Sequence, residues 1–262
     1  MKLLEAQGLR VRFGALEALR GLDFAVEEGR WLMLVGPNGA GKSTVVNAIS
    51  QGLRYEGALR WRGRDLRRMA PGERARHIGV LAQRHAVGYA FTVEEVVRLG
   101  RYARAPGLFS REKADADGAE AVELALEQTG LQALRRQSVL TLSGGELQRV
   151  FLAQLFAQDP ELLILDEPGN HLDMVYQKQT FQLLRDWLRR PGRAVLTVVH
   201  DLSLALAYGD EALLLDHGAA AAYGPVREAL RPATLERVYG MDVAGWMRAL
   251  LAAWGKETGR RA

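Results

Sequence analysis

The feature that most constrains this chain is the nonapeptide Gly36-Pro37-Asn38-Gly39-Ala40-Gly41-Lys42-Ser43-Thr44, which fits the phosphate-loop pattern G-x-x-x-x-G-K-[ST] at every fixed position. The motif functions only between a strand and a helix. Leu32-Met33-Leu34-Val35 before it is short and apolar, as a buried strand would be, and Val45 to Ser50 can continue as a helix. In that setting the glycines let the backbone fold round a phosphate with its N–H groups pointing inward, and the start of the helix adds positive potential. Lys42 would then reach the β- and γ-phosphates, and the Ser43 hydroxyl would ligate Mg²⁺.

The rest of the chain supplies an α/β frame for such a loop. Residues 1–35 read as a small β-rich unit, with strands at Leu9–Phe13 and Leu22–Val26 and a turn at Glu27-Glu28-Gly29. Phe13 either stacks on a nucleotide base or packs inside the strand pair. Tyr55–Trp61 reads as a strand followed by a turn at Gly63-Arg64-Asp65, and Ile78–Ala82 as a core strand ending at Gln83. From Thr92 the spacing becomes helical, with Thr92 and Glu95 placed for a capping box. Ala114–Thr129 is helical, with Ala121, Leu124, Ala125 and Gln128 along one side. A helix opening at Leu142–Arg149 runs to Gln158 and is stopped by Pro160. The apolar strand Leu162–Leu165 ends in Asp166-Glu167, a helix spans Tyr176–Arg190, and the strand Ala194–Val199 ends at His200-Asp201. A last strand and turn occupy Leu213–Gly218.

This alternation predicts a mainly parallel sheet with ligands at the carboxyl ends of its strands. The expected fold class is α/β: a phosphate-loop NTPase core at 1–84 and 151–262, carrying an N-terminal antiparallel β subdomain and an inserted all-helical subdomain at 85–150.

Composition removes several alternatives. The absence of cysteine excludes a disulfide framework and a thiolate nucleophile. Met1 to Arg10 lacks the apolar stretch of a signal peptide, and no apolar run approaches the ~18–20 residues that span a bilayer. The net charge of +4 comes almost wholly from arginine. Those arginines are scattered and not interleaved with aromatic residues, so no nucleic-acid partner is expected. His77, His85, His171 and His217 show no metal-ligand spacing and read as surface or loop residues.

Two further elements carry chemistry. A strand ending in Asp166-Glu167 beside a phosphate loop makes a nucleotide triphosphatase, with Asp166 helping to hold Mg²⁺ and Glu167 orienting or deprotonating the attacking water. Ser143-Gly144-Gly145 at a helix start is a second anion turn by the same backbone physics. The phosphate loop already holds its own triphosphate, so the second turn is expected to read a phosphate held by another copy of the chain.

At this point the sequence resembles the ABC transporter ATPases across nearly its whole length. Leu142-Ser143-Gly144-Gly145-Glu146 looks like the family signature L-S-G-G-[QE]. By that resemblance Gln83 is the Q-loop residue touching Mg²⁺ and water next to a membrane subunit. Asp166 and Glu167 are the Walker B acid and catalytic base, and Asp173 belongs to the D-loop. His200 is the switch histidine at the γ-phosphate, and Phe13 the adenine-stacking aromatic. Gly169 departs from the family's usual Thr or Ser and is expected to loosen its turn; Phe13 replaces the commoner Tyr.

The resemblance implies an ATP- and Mg²⁺-dependent motor subunit working as a homodimer. It would sit peripherally on the cytoplasmic face of the membrane, with two integral-membrane permease subunits and a separate solute-binding protein. Thr92–Tyr102, Gly224-Pro225 and Val238–Val243 resemble importers of iron–siderophore, haem and cobalamin; importers of free zinc or manganese share part of this pattern. A soluble ABC ATPase acting on nucleic acid or the ribosome, and a scaffold without turnover, are the competing readings. The intact Glu167 argues against the scaffold.

Overall fold

The computed structural model describes residues 1–82, 88–104, 111–170 and 172–255, with the side chains of 111–117 and 253–255 left aside. Gln83, Arg84, His85 and His171 therefore lie outside the described residues.

Two sheets stack through a shared apolar layer. The first is antiparallel, in the order β2-β1-β4-β5, from β1 (Lys2–Phe13), β2 (Leu16–Glu27), β4 (Glu56–Trp61) and β5 (Arg64–Asp65). The second has the order β10-β9-β3-β8-β7-β6, built from β3 (Trp31–Val35), β6 (Ile78–Leu81), β7 (Leu162–Asp166), β8 (Ala194–Val198), β9 (Glu211–Asp216) and β10 (Ala219–Pro225). Every pairing from β9 to β6 is parallel, and β10 closes the other edge antiparallel to β9.

Apart from Thr197 in β8 and Asp166 at the end of β7, the central strands are apolar because both their faces are covered. Leu32 and Leu34 of β3, Leu162 and Ile164 of β7, and Leu196 and Val198 of β8 pack against the antiparallel sheet and α1 (Lys42–Ile49). The alternate residues Trp31, Met33, Val35, Leu163, Leu165 and Val195 face the helices on the other side. Trp31 anchors that side. It is fully buried, stacks on Phe181 at 5.6 Å, lies under the Arg185 guanidinium, and donates its indole N–H to Thr197 Oγ1 at 2.8 Å.

The helices on this face are α3 (Val93–Leu99), α4 (Arg111–Gln128), α5 (Gly144–Gln158), α6 (Met174–Leu188) and α7 (Leu202–Tyr208), followed by α8 (Val226–Ala229), α9 (Pro232–Tyr239) and α10 (Val243–Gly255). Thr92 and Glu95 form the expected capping box at α3, and Ser143 with Glu146 forms a second at α5. The helix α5 continues unbroken through residue 150 and packs in one core with Val93, Val97, Val122 and Leu126.

Several local expectations are corrected. The buried side of α4 is Val122, Ala125 and Leu126, continued by Thr129 just past its end, while Leu124 is exposed. Its sequence is acidic and alanine-rich, with small and charged residues on every side, so periodicity could not choose the face that meets α3 and α5. The turn after β4 falls on Arg62-Gly63, both at positive φ, leaving Arg64-Asp65 as a strand against β4. The strand β9 is not the last, since the turn at His217-Gly218 returns the chain as β10. The short helix α2 (Pro71–His77) buries none of its residues, which left no periodicity to read.

Candidate functional site

The phosphate loop joins β3 to α1 at the carboxyl end of the parallel sheet. Gly36 has φ 147°, and a Cβ there would run into the Leu215 carbonyl oxygen, so no other residue fits that position. Lys42 is buried, and its ammonium folds back over the loop to donate to the Gly36 and Pro37 carbonyls at 2.8 Å each. Burial pushes its pKa down, with Glu167 and Asp166 pulling it back up. A phosphate would offer this cation a stronger partner than two carbonyls.

Asp166 ends β7, the second neighbour of β3 across β8, and is buried. Burial raises its pKa, a hydrogen bond from the Ser43 side chain lowers it, and Glu167 raises it further. Its Oδ1 is buried without a hydrogen-bond partner among the described residues. An orphaned carboxylate oxygen beside a hydroxyl is a donor set that suits a hard divalent cation. Ser43 and Asp166 therefore fit Mg²⁺.

Glu167 follows with φ 57°, an uncommon conformation for a residue with a side chain, and its N–H donates to Val198 O at 3.1 Å. The conformation turns its carboxylate out of the strand line. His200 Nε2 lies 2.5 Å from Glu167 Oε1, and the Asn170 amide donates to Glu167 Oε2. His200 stands just past β8, the neighbouring strand, so sheet order alone brings the two side chains together.

Lys42, Ser43, Glu167 and His200 share one open cleft of about 390 Å³, whose wall does not include Asp166 or Asn170. Its lining includes Phe13, Asn38, Gly39, Gly41, Lys42, Ser43, Thr44, Glu167 and His200. Phe13 is 49% exposed at the end of β1, so its ring belongs to the cleft wall and not to the core. Gly36, Pro37 and Ala40 form the inner side of the loop and do not line the cleft.

Ser143, Gly144, Gly145 and Glu146 do not line it either. Ser143 caps α5, and Glu146 accepts from the Ser143 N–H at 2.8 Å and from its hydroxyl at 2.7 Å, which lowers the Glu146 pKa. Asp173 caps α6, accepting from Tyr176 N–H at 2.9 Å. Both elements stand outside the cleft that would hold this chain's own nucleotide.

A family model for ABC transporters matches residues 19–170. The chain belongs to the ABC transporter family. It is 41% identical over 247 residues to the hemin import ATP-binding protein HmuV of Pseudomonas entomophila, spanning 92% of this chain and 94% of that protein. A solved ATP-binding subunit of an ABC transporter superimposes with a TM-score of 0.76 at 25% identity, covering 92% of this chain and 95% of that one. A second solved ATP-binding cassette, in a dimeric post-hydrolysis state bound to ADP and Pi, aligns with a TM-score of 0.73 at 24% identity over 86% of this chain and 99% of that one. As a member of this family the cassette binds ATP and hydrolyses it in coupling to transport.

Six residues in the cleft wall escaped the sequence reading. Leu16, Glu17, Ala18 and Arg20 come from β2, and His217 and Gly218 from the turn between β9 and β10. His217 reads as an ordinary loop residue in the sequence, yet Arg20 N–H donates to Gly218 O at 2.8 Å and pins its turn beside the phosphate loop. None belongs to a local motif. Gly169 also behaves differently from expectation. It is buried, and a Cβ there would meet the Gln177 side chain at 3.1 Å, so the turn is filled from α6 instead of being loose. His77 is engaged by Glu161, with Nδ1 2.7 Å from Oε1. Among the described residues no cluster of three His, Asp or Glu side chains could hold a metal by itself.

Proposed function

We propose that this cassette is the ATP-hydrolysing motor of an importer for a metal chelate, with haem the favoured cargo. It would work as a head-to-tail homodimer on the cytoplasmic face of a membrane, bound to two permease subunits fed by a separate solute-binding protein. The observation that carries the cargo is the 41% identity to a hemin import protein along nearly the whole length of both chains. No helix among the described residues is long and apolar enough to cross a membrane, so any membrane passage would fall to other subunits or to residues outside those described. The dimeric state of the solved cassette supports pairing of two copies.

The site suggests how each residue acts. Phe13 stacks on adenine, the backbone of Gly36 to Thr44 cradles the phosphates, and Lys42 leaves its two carbonyls for the β- and γ-phosphates. Ser43 and Asp166 would hold Mg²⁺, which would supply charge neutralisation to the triphosphate, and Gln83 is proposed as a further contact to it from the resemblance alone. Glu167 takes or orients the proton of the attacking water. His200, already against Glu167, bridges that base to the γ-phosphate. The signature Ser143–Glu146 and the D-loop Asp173 read the nucleotide held by the second copy. Residues 85–150 form the helical unit that carries the signature, and 1–84 with 151–262 the nucleotide-binding core.

The experiment is to isolate the cassette from native membranes with its permease and to measure hydrolysis with haem, an iron–siderophore, cobalamin, zinc and manganese in turn. Stimulation by haem is expected. Stimulation by free zinc or manganese alone would move the cassette to the metal-ion importers. Recovery without a permease, with salt-sensitive DNA binding, would favour the nucleic-acid reading instead.

A further inference from the structure

The signature turn and the D-loop cap are far apart in sequence, and one aromatic ring joins them. Tyr176 lies in the first turn of α6, and its N–H donates to Asp173 Oδ1 at 2.9 Å. Its ring rests on the signature. A Cβ built on Gly145 would stand 3.1 Å from Tyr176 Cδ2 and 3.3 Å from Cγ. The other face of the contact is Arg149, whose guanidinium carbon lies 5.1 Å from the ring centroid. Arg149 is one turn beyond Gly145 on α5, so both present the same helix face to the ring. Arg149 Nη1 also donates to Thr129 O at 3.4 Å, which ties the contact to the end of α4.

The two signature glycines consequently do different jobs. Gly144 has no atom within 4 Å of where a Cβ would sit, so its face is open to an incoming group. Gly145 does not have a positive φ, so its backbone does not require glycine; its missing side chain makes room for the ring. A second tie runs beside the first, from Gln148 Nε2 to Pro168 O at 3.3 Å, just after Glu167.

We propose that Tyr176 is a positioning residue for hydrolysis: its ring, held between Gly145 and Arg149, fixes the Ser143-Gly144-Gly145 turn against the Asp173 cap so that both meet the second copy's nucleotide together. The inference rests on the reading that this turn contacts a partner's phosphate. Backbone N–H groups read an anion by direction, and a displacement of about 1 Å in such a group can cost ~10²-fold in rate. A cation–π contact and a flat apolar surface hold the turn without consuming any of the N–H groups the anion needs.

The test uses the full chain. Tyr176→Ala should lower kcat about tenfold or more, short of the ~10²-fold ceiling set by a 1 Å misplacement, while the ATP dissociation constant stays within about twofold. Tyr176→Phe keeps the ring and should restore the parental kcat. In a Glu167→Gln background, Mg²⁺–ATP should drive dimerisation of the Phe variant and not of the Ala variant. Gly145→Ala should impair the parent by pushing into the ring but add little in the Tyr176→Ala protein, a non-additivity that a general loss of stability would not produce. Should Tyr176→Ala prove unstable, Tyr176→Leu supplies the same comparison with the side-chain bulk retained. Parental kcat in the Ala or Leu variant, equal loss in the Phe variant, or additive effects of Gly145→Ala and Tyr176→Ala would each overturn the proposal. Ser143→Arg separates the layers. If it blocks dimerisation while Tyr176→Ala does not, only the role of Tyr176 fails. If it leaves dimerisation intact, the reading beneath it fails as well.

Discussion

The two glycine-rich turns of this cassette use the same backbone physics and sit in opposite surroundings. The phosphate loop is folded inward: Lys42 is buried, Gly36 is pressed against Leu215, and a cleft of about 390 Å³ gathers Phe13, Glu167 and His200 round it. The signature turn is folded outward. Ser143 is exposed, its hydroxyl is returned to Glu146, and Gly144 faces open space. A loop with its own lysine, carboxylates and aromatic wall contains the chemistry of one nucleotide. A turn backed by the Tyr176 ring and bare at Gly144 offers a surface without a cleft of its own. The difference fits the proposal that the first site is built by this chain and that the second is built for something brought to it.

The sharpest way to break the comparison is at the base. Glu167→Gln should lower hydrolysis by roughly 10²–10⁴-fold while ATP still binds, because shape and hydrogen bonding survive and basicity does not. Steady-state turnover beside a nucleotide-binding titration checks both halves. Turnover within a few-fold of the parent would remove Glu167 from its role.

The outward turn is probed next. In the Glu167→Gln protein, Mg²⁺–ATP should shift the chain from monomer to dimer in a sedimentation or light-scattering experiment, and ADP should not. Adding Ser143→Arg should abolish that shift without changing ATP affinity. A loss of ATP affinity instead would mean that the turn belongs to the chain's own cleft.

A smaller effect is expected at the cleft wall. Stacking contributes about 0.5–1.5 kcal/mol beyond area burial. Phe13→Ala should thus raise the ATP dissociation constant several-fold, with Phe13→Tyr close to neutral. Because Phe13 is exposed, its truncation should leave the melting temperature nearly unchanged, which distinguishes a cleft ring from a core ring.

The smallest effect compares the two capping boxes. Thr92 at α3 and Ser143 at α5 cap with the same geometry. Either residue changed to Ala should cost about 1 kcal/mol of stability in chemical denaturation. Only Ser143→Ala should also weaken nucleotide-driven dimerisation. Equal behaviour of the two would reduce the signature serine to a helix cap.

Much of this architecture is legible in the sequence because it is local. A strand that is apolar on both faces, a loop with fixed glycines and a capped helix are each specified within about ten residues, so β3, β7, β8, the phosphate loop and the Thr92–Glu95 capping box follow from pattern alone, whereas the Ser143–Glu146 box was found only in the structure. The elements that sequence reading misplaced have weak local signals. The alanines and charges spread round α4 hide its buried face, α2 buries nothing, and β10 is a run of alanines whose strand character comes from pairing with β9.

The sequence by itself determined the chemistry of the parts: a lysine and a hydroxyl on a phosphate loop, two carboxylates at a strand end, a histidine at another strand end, and a second anion turn. Only the tertiary structure decided which parts meet. Parallel order places β8 beside β7, and so His200 against Glu167. The β9–β10 turn brings His217 into the cleft wall, and helix packing lays Tyr176 on Gly145. Those encounters depend on strand order and on which helix faces touch. Both are settled by burying the two sides of one sheet at once, and no short stretch of sequence encodes that.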